Sequence, residues 1–312
     1  MSRFAAIDCG TNAIRLLIAD VQGGQLQEID RRMLTVRLGE GIDATGEFAP
    51  VALERTFAAV DDYAAEIERS AVQAVRMVAT SASRDARNAD VFITGVQDRL
   101  GIVPEVISGA QEAELSFLGA VRGLPSSLVS SPLLVADIGG GSTELVLGDP
   151  GTRAIQARYS MDIGCVRMTE RHLHGDPPTA QEVQRAVETI DEALDQALAH
   201  VPTEQITGFV GLAGSVTTVA ALALGLGTYD PVAIHGSFTS TAEVDEVTER
   251  LLGMTRAQRA AEPVMHPGRV DVIAGGALVL SQLLHRLSVS GVIAGETDLL
   301  DGIVYSLSDK VS

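Results

Sequence analysis

One motif occurs twice in this chain, and the repetition limits the fold more than any other feature. Phe4-Ala-Ala-Ile-Asp-Cys-Gly-Thr-Asn-Ala-Ile-Arg-Leu-Leu-Ile-Ala-Asp20 runs parallel to Leu134-Val-Ala-Asp-Ile-Gly-Gly-Gly-Ser-Thr-Glu-Leu-Val-Leu-Gly148. Each copy reads as an apolar strand, an Asp-x-Gly turn and a second strand. A third strand-like run follows, over 26–38 in the first half and 154–166 in the second. Asp8 and Asp137 stand 129 positions apart, a domain's length and far beyond a solenoid period. A chain of 312 residues holds two such domains. The polar stretch 126–132, just ahead of the second copy, reads as the link between them.

The rest of each half alternates strands and helices, the pattern of an α/β protein. The first half predicts a helix over 51–70 behind Pro50, a strand over 75–79, a helix over 88–100 and a strand over 103–107. Ser108-Gly-Ala-Gln111 then has the spacing of a capping box and opens a helix over 110–121, which Gly123 and Pro125 end. In the second half Thr179-x-x-Glu182 and Ser240-x-x-Glu243 each open a helix, the first with Val183, Val187, Ile190, Leu194 and Leu198 on one face. A strand over 206–210, a glycine loop over 211–215 and a helix from Val216 follow the order of a phosphate site. The last elements are a strand over 289–294 and a helix over 298–308.

Composition closes off several mechanisms. Lys310 is the one lysine of the chain, so neither a Walker-A P-loop nor a Schiff-base enzyme can be built. A formal charge of −18 opposes general nucleic-acid binding. Two cysteines, Cys9 and Cys165, without a secretory leader at the start, fit a reducing cytoplasm. The uncharged run 208–227 is long enough for a membrane span, but its five glycines and three hydroxyl residues read better as buried strand, loop and helix, so no membrane association is expected.

The two Asp-x-Gly turns carry the chemistry. Glycine lets backbone N–H groups approach an oxyanion, and Thr11, Ser142 and Thr143 add hydroxyl donors. Asp137 and Glu144 offer two carboxylates to one divalent cation. An ordinary hairpin turn explains either copy alone, but not both. Gly211-Leu-Ala-Gly-Ser-Val-Thr-Thr218 suits a phosphate at a helix N-terminus or, equally, close packing of a helix on a sheet. Glu112 is, on spacing alone, a glutamate that favours a helix start, and Arg84 a surface ion-pair partner. His172 and His174 lack a third metal ligand nearby. The acidic run from Glu188 to Asp195 reads as a solvated helix face.

In order along the chain, IDCGTNAIRLLIAD, VATSASRDARN, ISGAQEAELSFLG, VADIGGGSTELVLG, DIGCVRMTE, GLAGSVTTVAAL and RVDVIAGGALVL resemble the Ppx/GppA family of exopolyphosphatases and guanosine-pentaphosphate phosphohydrolases. The resemblance runs from about Phe4 to Tyr305 and implies an α/β fold of duplicated actin-like domains (the sugar kinase, Hsp70 and actin group, ribonuclease H-like) with a central cleft. It places domain I over 1–128, with a C-terminal helix over about 298–312 packing back on it, and domain II over 129–297, the short two-domain form. Residue by residue, it makes Glu112 the group that activates the attacking water and Arg84 a phosphate contact. Asp8, Gly10, Thr11 and Asn12 match the first phosphate loop, Gly139, Gly140, Gly141 and Ser142 the second, and Asp137 and Glu144 the metal-associated acids. Gly214 and Ser215 are the phosphate-binding candidates of the third glycine stretch. Gln111 stands where many members have a first glutamate, and Cys9 where many have an aliphatic residue; Cys9 is read as a packed side chain. The implied activity is Mg²⁺-dependent, with Mn²⁺ as substitute, and releases terminal orthophosphate from inorganic polyphosphate, short chains being the expected preference. Guanosine pentaphosphate, a substrate of the stringent response, is the alternative. A kinase of the same superfold and a non-catalytic phosphate sensor are more distant ones, and a homodimer is left open.

Overall fold

The computed structural model describes residues 2–204 and 206–311. In chain order its elements are β1 (Ser2–Cys9), β2 (Ala13–Gln22), β3 (Gln25–Thr35), α1 (Ile42–Thr45), α2 (Pro50–Arg69), β4 (Ala74–Ala79), α3 (Ser81–Asp85), α4 (Ala89–Leu100), β5 (Glu105–Val106), α5 (Gly109–Gly123), β6 (Leu133–Ile138), β7 (Thr143–Gly148) and β8 (Ile155–Met161). There follow α6 (Cys165–His172), α7 (Ala180–Leu198), β9 (Gly208–Leu212), α8 (Ala213–Ala223), α9 (Pro231–Ile234), β10 (Phe238–Ser240), α10 (Thr241–Gly253), α11 (Arg256–Ala260), α12 (Ile273–Leu287), β11 (Gly291–Ala294) and α13 (Leu299–Val311). The chain divides into two units, Met1–Gly119 with Leu299–Ser312, and Ala120–Asp298. The first division falls inside α5, ahead of the polar stretch at 126–132.

Unit 1 holds a five-stranded sheet in the order β3-β2-β1-β4-β5. Period-two alternation in β1 buries both faces, as expected for a sheet covered on each side. Ala5, Ile7 and Cys9 pack with Leu53, Val60 and Tyr63 of α2 and Phe92 and Val96 of α4. Phe4 and Ala6 face the other way, onto Leu300, Ile303 and Val304 of α13. Gly302 is what lets α13 settle against α5, because a Cβ there would lie 2.0 Å from the Leu115 carbonyl oxygen.

Unit 2 holds a six-stranded sheet in the order β10-β11-β9-β6-β7-β8. Its β8-β7-β6-β9 run repeats β3-β2-β1-β4: an antiparallel meander whose first strand also pairs with a parallel one. The sequence repeat is thus a repeat of topology, and the fold is a duplicated α/β arrangement of two sheets. Leu134, Ala136 and Ile138 pack with Ile190 and Leu194 of α7 and Leu280 and Leu284 of α12. Both predicted caps form, Thr179 with Glu182 and Ser240 with Glu243 each exchanging side-chain and backbone hydrogen bonds.

Three expectations need correction. The third run of the second copy does not extend to Val166: β8 stops at Met161, and after a short turn the chain enters α6 at Cys165. No glycine loop spans 211–215, because β9 passes directly into α8 with Leu212 as its N-cap. The glycine at 211 serves packing, its would-be Cβ lying 2.8 Å from Val216 and 2.9 Å from Val292. The strand predicted over 103–107 shrinks to Glu105–Val106. The uncharged run 208–227 supplies β9 and α8, and among the described residues no helix is long and apolar enough to cross a membrane.

Candidate active site

In unit 1 the first candidate phosphate loop joins β1 to β2. Gly10 N–H donates to Ala13 O at 3.0 Å and closes the turn. The segment after β3 then crosses beneath it: Gly39 N–H donates to Thr11 O at 2.9 Å, and Val36 and Arg37 N–H to Asn12 O at 3.1 and 2.8 Å. A Cβ at position 39 would stand 2.3 Å from Thr11 Cγ2, so a side chain there would push Thr11 out of place. Asp8, 4% exposed, does not face this turn alone; Arg15 Nη2 and Nε donate to its Oδ2 at 2.6 and 3.0 Å.

The strand beside β1, β4, leads to the pair of Arg84 and Glu112. Thr80 N–H donates to Cys9 O, and α3 starts at the next residue, carrying Arg84. Arg84 Nη1 donates to Glu112 Oε2 at 2.7 Å and to Ile107 O at 3.0 Å. This pair joins residues 28 positions apart, and Glu112 is 7% exposed. It is a positioned contact rather than a local surface one. Ser108 and Gln111 make the reciprocal capping bonds expected of them, which fix the first turn of α5 and with it Glu112.

In unit 2 the second loop is held more fully. Cys165 N–H donates to Gly139 O at 3.0 Å, and Val166 and Arg167 N–H to Gly140 O at 2.9 and 3.2 Å. Arg167 Nε donates to Gly141 O at 2.7 Å. A trans peptide is planar, so its C=O and N–H point opposite ways. With three successive carbonyls turned toward α6, the N–H groups of Gly140, Gly141 and Ser142 point to the other side. That is a row of donors of the kind that cradles phosphate oxygens. Gly164 lets α6 come this close, since a Cβ there would lie 2.5 Å from the Gly140 carbonyl.

Asp137 and Glu144 face each other across the β6–β7 ladder, and Ser160 is the next partner on β8. Ser160 Oγ donates to Glu144 Oε1 at 2.7 Å. The donor set is entirely oxygen, and two carboxylates suit a hard divalent cation that takes its remaining ligands from water and phosphate. Among the described residues no group of three or more His, Cys, Asp or Glu side chains is placed to hold a metal. His172 Nε2 instead lies 3.1 Å from Thr189 Oγ1.

Gly214 and Ser215 occupy the first turn of α8. A Cβ at Gly214 would meet the Arg269 guanidinium at 2.5 Å, and Ser215 lies between Cys165, whose thiol it hydrogen-bonds, and Gly276 of α12. Both are packed into unit 2. Burial, with Asp8 adding to it, pushes the Cys9 thiol up, which keeps it protonated and unreactive.

Residues 17–311 match the Ppx/GppA phosphatase family. The chain belongs to that family. It is 51% identical to exopolyphosphatase 2 of Mycobacterium tuberculosis over 99% of each chain. An exopolyphosphatase-like protein of known structure is 42% identical, with a TM-score of 0.96 over 99% of this chain and 98% of that one. A family member from Aquifex aeolicus is 29% identical, with a TM-score of 0.84 over 100% and 99%. Arg15, Gly164 and Arg167 are the residues that reading the family's sequence motifs for charge and turns did not single out. For Arg15 and Arg167 the signal lies in the repeat: Val36-Arg37 and Val166-Arg167 recur and donate N–H groups to their respective loops, and Arg15 stands where the second copy has Glu144.

Proposed function

We propose that the chain is an exopolyphosphatase, a phosphoanhydride hydrolase that releases orthophosphate from the end of inorganic polyphosphate. The observation that carries this reading is the 2.7 Å pair of Arg84 and buried Glu112, in a chain whose relative, matched over 99% of each chain, is named for that activity. Glu112 orients a water and takes its proton as the oxygen attacks the terminal phosphorus. The bridging P–O bond breaks, orthophosphate leaves, and the shortened chain keeps the bridging oxygen. Arg84 donates to the phosphoryl oxygens as charge spreads over them. The N–H groups of Gly140, Gly141 and Ser142 and the first loop, Gly10 to Asn12, bind phosphate oxygens, while Asp8 holds Arg15 beside that loop. Asp137 and Glu144 are the residues that would hold Mg²⁺ or Mn²⁺, whose positive charge would offset that of the polyanion. Both cysteines are buried free thiols, in keeping with a reducing cytoplasm.

Glu112→Gln tests the central assignment. It is expected to abolish orthophosphate release while polyphosphate still binds, and near wild-type turnover would remove Glu112 from the mechanism. Running guanosine pentaphosphate beside polyphosphate in the same phosphate-release assay fixes the substrate, and faster turnover of the nucleotide would overturn the polyphosphate assignment.

A further inference from the structure

The two β-hairpins place opposite charges at one corresponding position. Asp8 is second from the end of β1 and Asp137 second from the end of β6. Each is paired across its ladder with the residue seven positions later, Asp8 with Arg15 and Asp137 with Glu144. Directly opposed residues of antiparallel strands project from the same face. In unit 1 a carboxylate therefore meets a guanidinium, with Arg15 Nη2 at 2.6 Å from Asp8 Oδ2. In unit 2 a carboxylate meets a carboxylate, Asp137 being 7% and Glu144 1% exposed.

The electrostatics of the two rows differ accordingly. Two buried carboxylates side by side disfavour joint ionisation unless a cation lies with them. A guanidinium at the second position does the same work from within the chain, and its fixed charge repels a metal ion. We infer that Arg15 is the built-in counter-ion of the first loop: it makes that loop a metal-free phosphate loop and confines the divalent cation to unit 2, one per chain. The inference rests on the reading of Asp137 and Glu144 as the cation ligands. Asp8, by contrast, serves to orient Arg15 and is not a metal ligand.

Mn²⁺ counting by electron paramagnetic resonance tests this, in enough salt to screen the surface acids. Wild type is expected to bind one Mn²⁺ tightly, D137N/E144Q none, and R15E two. In the triple variant R15E/D137N/E144Q one Mn²⁺ should return, now lost on adding D8N. Circular dichroism checks that each variant is folded. A folded R15E that still binds one Mn²⁺, together with a triple variant that binds none, would overturn the inference while leaving the reading of unit 2 intact. A wild type that binds none would sink that reading and the inference with it. Should R15E fail to fold, wild type and D8N decide the matter: a second tight Mn²⁺ that D8N removes refutes the role of Arg15, and one Mn²⁺ in both supports it.

Discussion

Replacing Gly164 by alanine would show how the glycine loop of unit 2, the second candidate phosphate loop, is held. Gly164 lies at φ −143° and ψ 168°, extended backbone open to any residue, so its substitution acts through space alone. The new Cβ would stand 2.5 Å from the carbonyl carbon and oxygen of Gly140 and 2.7 Å from the nitrogen of Gly141. These are main-chain atoms of the loop, and no rotamer change relieves the clash. Either the loop or the start of α6 must shift, and the hydrogen bonds at 3.0, 2.9 and 3.2 Å that join them must stretch. Overpacking of this kind costs about 1–3 kcal/mol, and each lost hydrogen bond adds about 0.5–1.5 kcal/mol. A total of about 2–5 kcal/mol corresponds to a fall in Tm of roughly 5–15 °C for a unit of this length. The displaced carbonyls carry their N–H groups with them, so the KM for polyphosphate should rise about tenfold, equivalent to about 1.4 kcal/mol. Gly253→Ala is the control, because nothing lies within 4 Å of its would-be Cβ. At the end of α10 that change should leave the stability unaltered or raise it by about 0.4–1 kcal/mol. Calorimetry and steady-state phosphate release measure both. A Gly164→Ala protein that melts within about 2 °C of wild type and keeps its KM would refute the account of loop 2.

Arg167→Lys should raise the KM for polyphosphate more than it lowers kcat, because an ammonium lacks the planar fork and fixed reach that hold Gly141 O at 2.7 Å. A KM equal to wild type in a normally folded protein would mean that the guanidinium does not position the loop. Acid should act on the cap of α7. The N–H and hydroxyl of Thr179, with the N–H groups of Gly175 and His174, hold the Glu182 carboxyl down at about 2, against 4.5 for the free side chain. A depressed carboxyl stabilises the fold above its unfolded value and loses that contribution as pH falls through its folded one. Glu182→Gln should therefore lower Tm at neutral pH, with the gap to wild type closing between about pH 4.5 and pH 2. A gap that persists unchanged at pH 2 would show that the cap acts by some route other than ionisation.

The parts of the fold legible in the sequence are those set by local rules. Alternation in Phe4–Cys9 and the Thr179, Ser240 and Ser108 caps depend on neighbours within a few residues, and they form as the spacing requires. α12 was not legible, because Ile273–Leu287 is buried along most of its length and has little polar face to set a period. Its Gly275 and Gly276 exist for contacts with Thr169 and Ser215, more than fifty residues away. The same holds for Gly211-Leu-Ala-Gly-Ser215, whose glycines look like a phosphate loop and serve strand-to-helix packing and the approach of Arg269. At the candidate site, Glu112 and Arg84 came from a motif, but their pairing is a matter of tertiary structure. Gly164 and Arg167 were hidden for a related reason. The run from Ala154 to Val166 has the composition of a strand, and only the need to pass beneath Gly139–Gly141 ends it at Met161.

An acidic chain that handles a polyanion has to make positive potential without positive charge to spare. At the candidate site Arg15 and Arg84 are each already paired with a carboxylate, Asp8 and Glu112. The peptide groups of the second loop are a further source. When α6 takes up the carbonyls of Gly139, Gly140 and Gly141, it removes the negative ends of three dipoles from one side of the loop and leaves the N–H ends on the other. That polarity adds nothing to the formal charge of −18. It is also directional, since fixed N–H groups match the oxygens of one phosphate rather than attract any polyanion over a wide surface. Pairing gives the two arginines a further property. A guanidinium already bound to a carboxylate is held in one orientation, so a phosphoryl group that reaches it meets a preformed donor and need not order a mobile side chain.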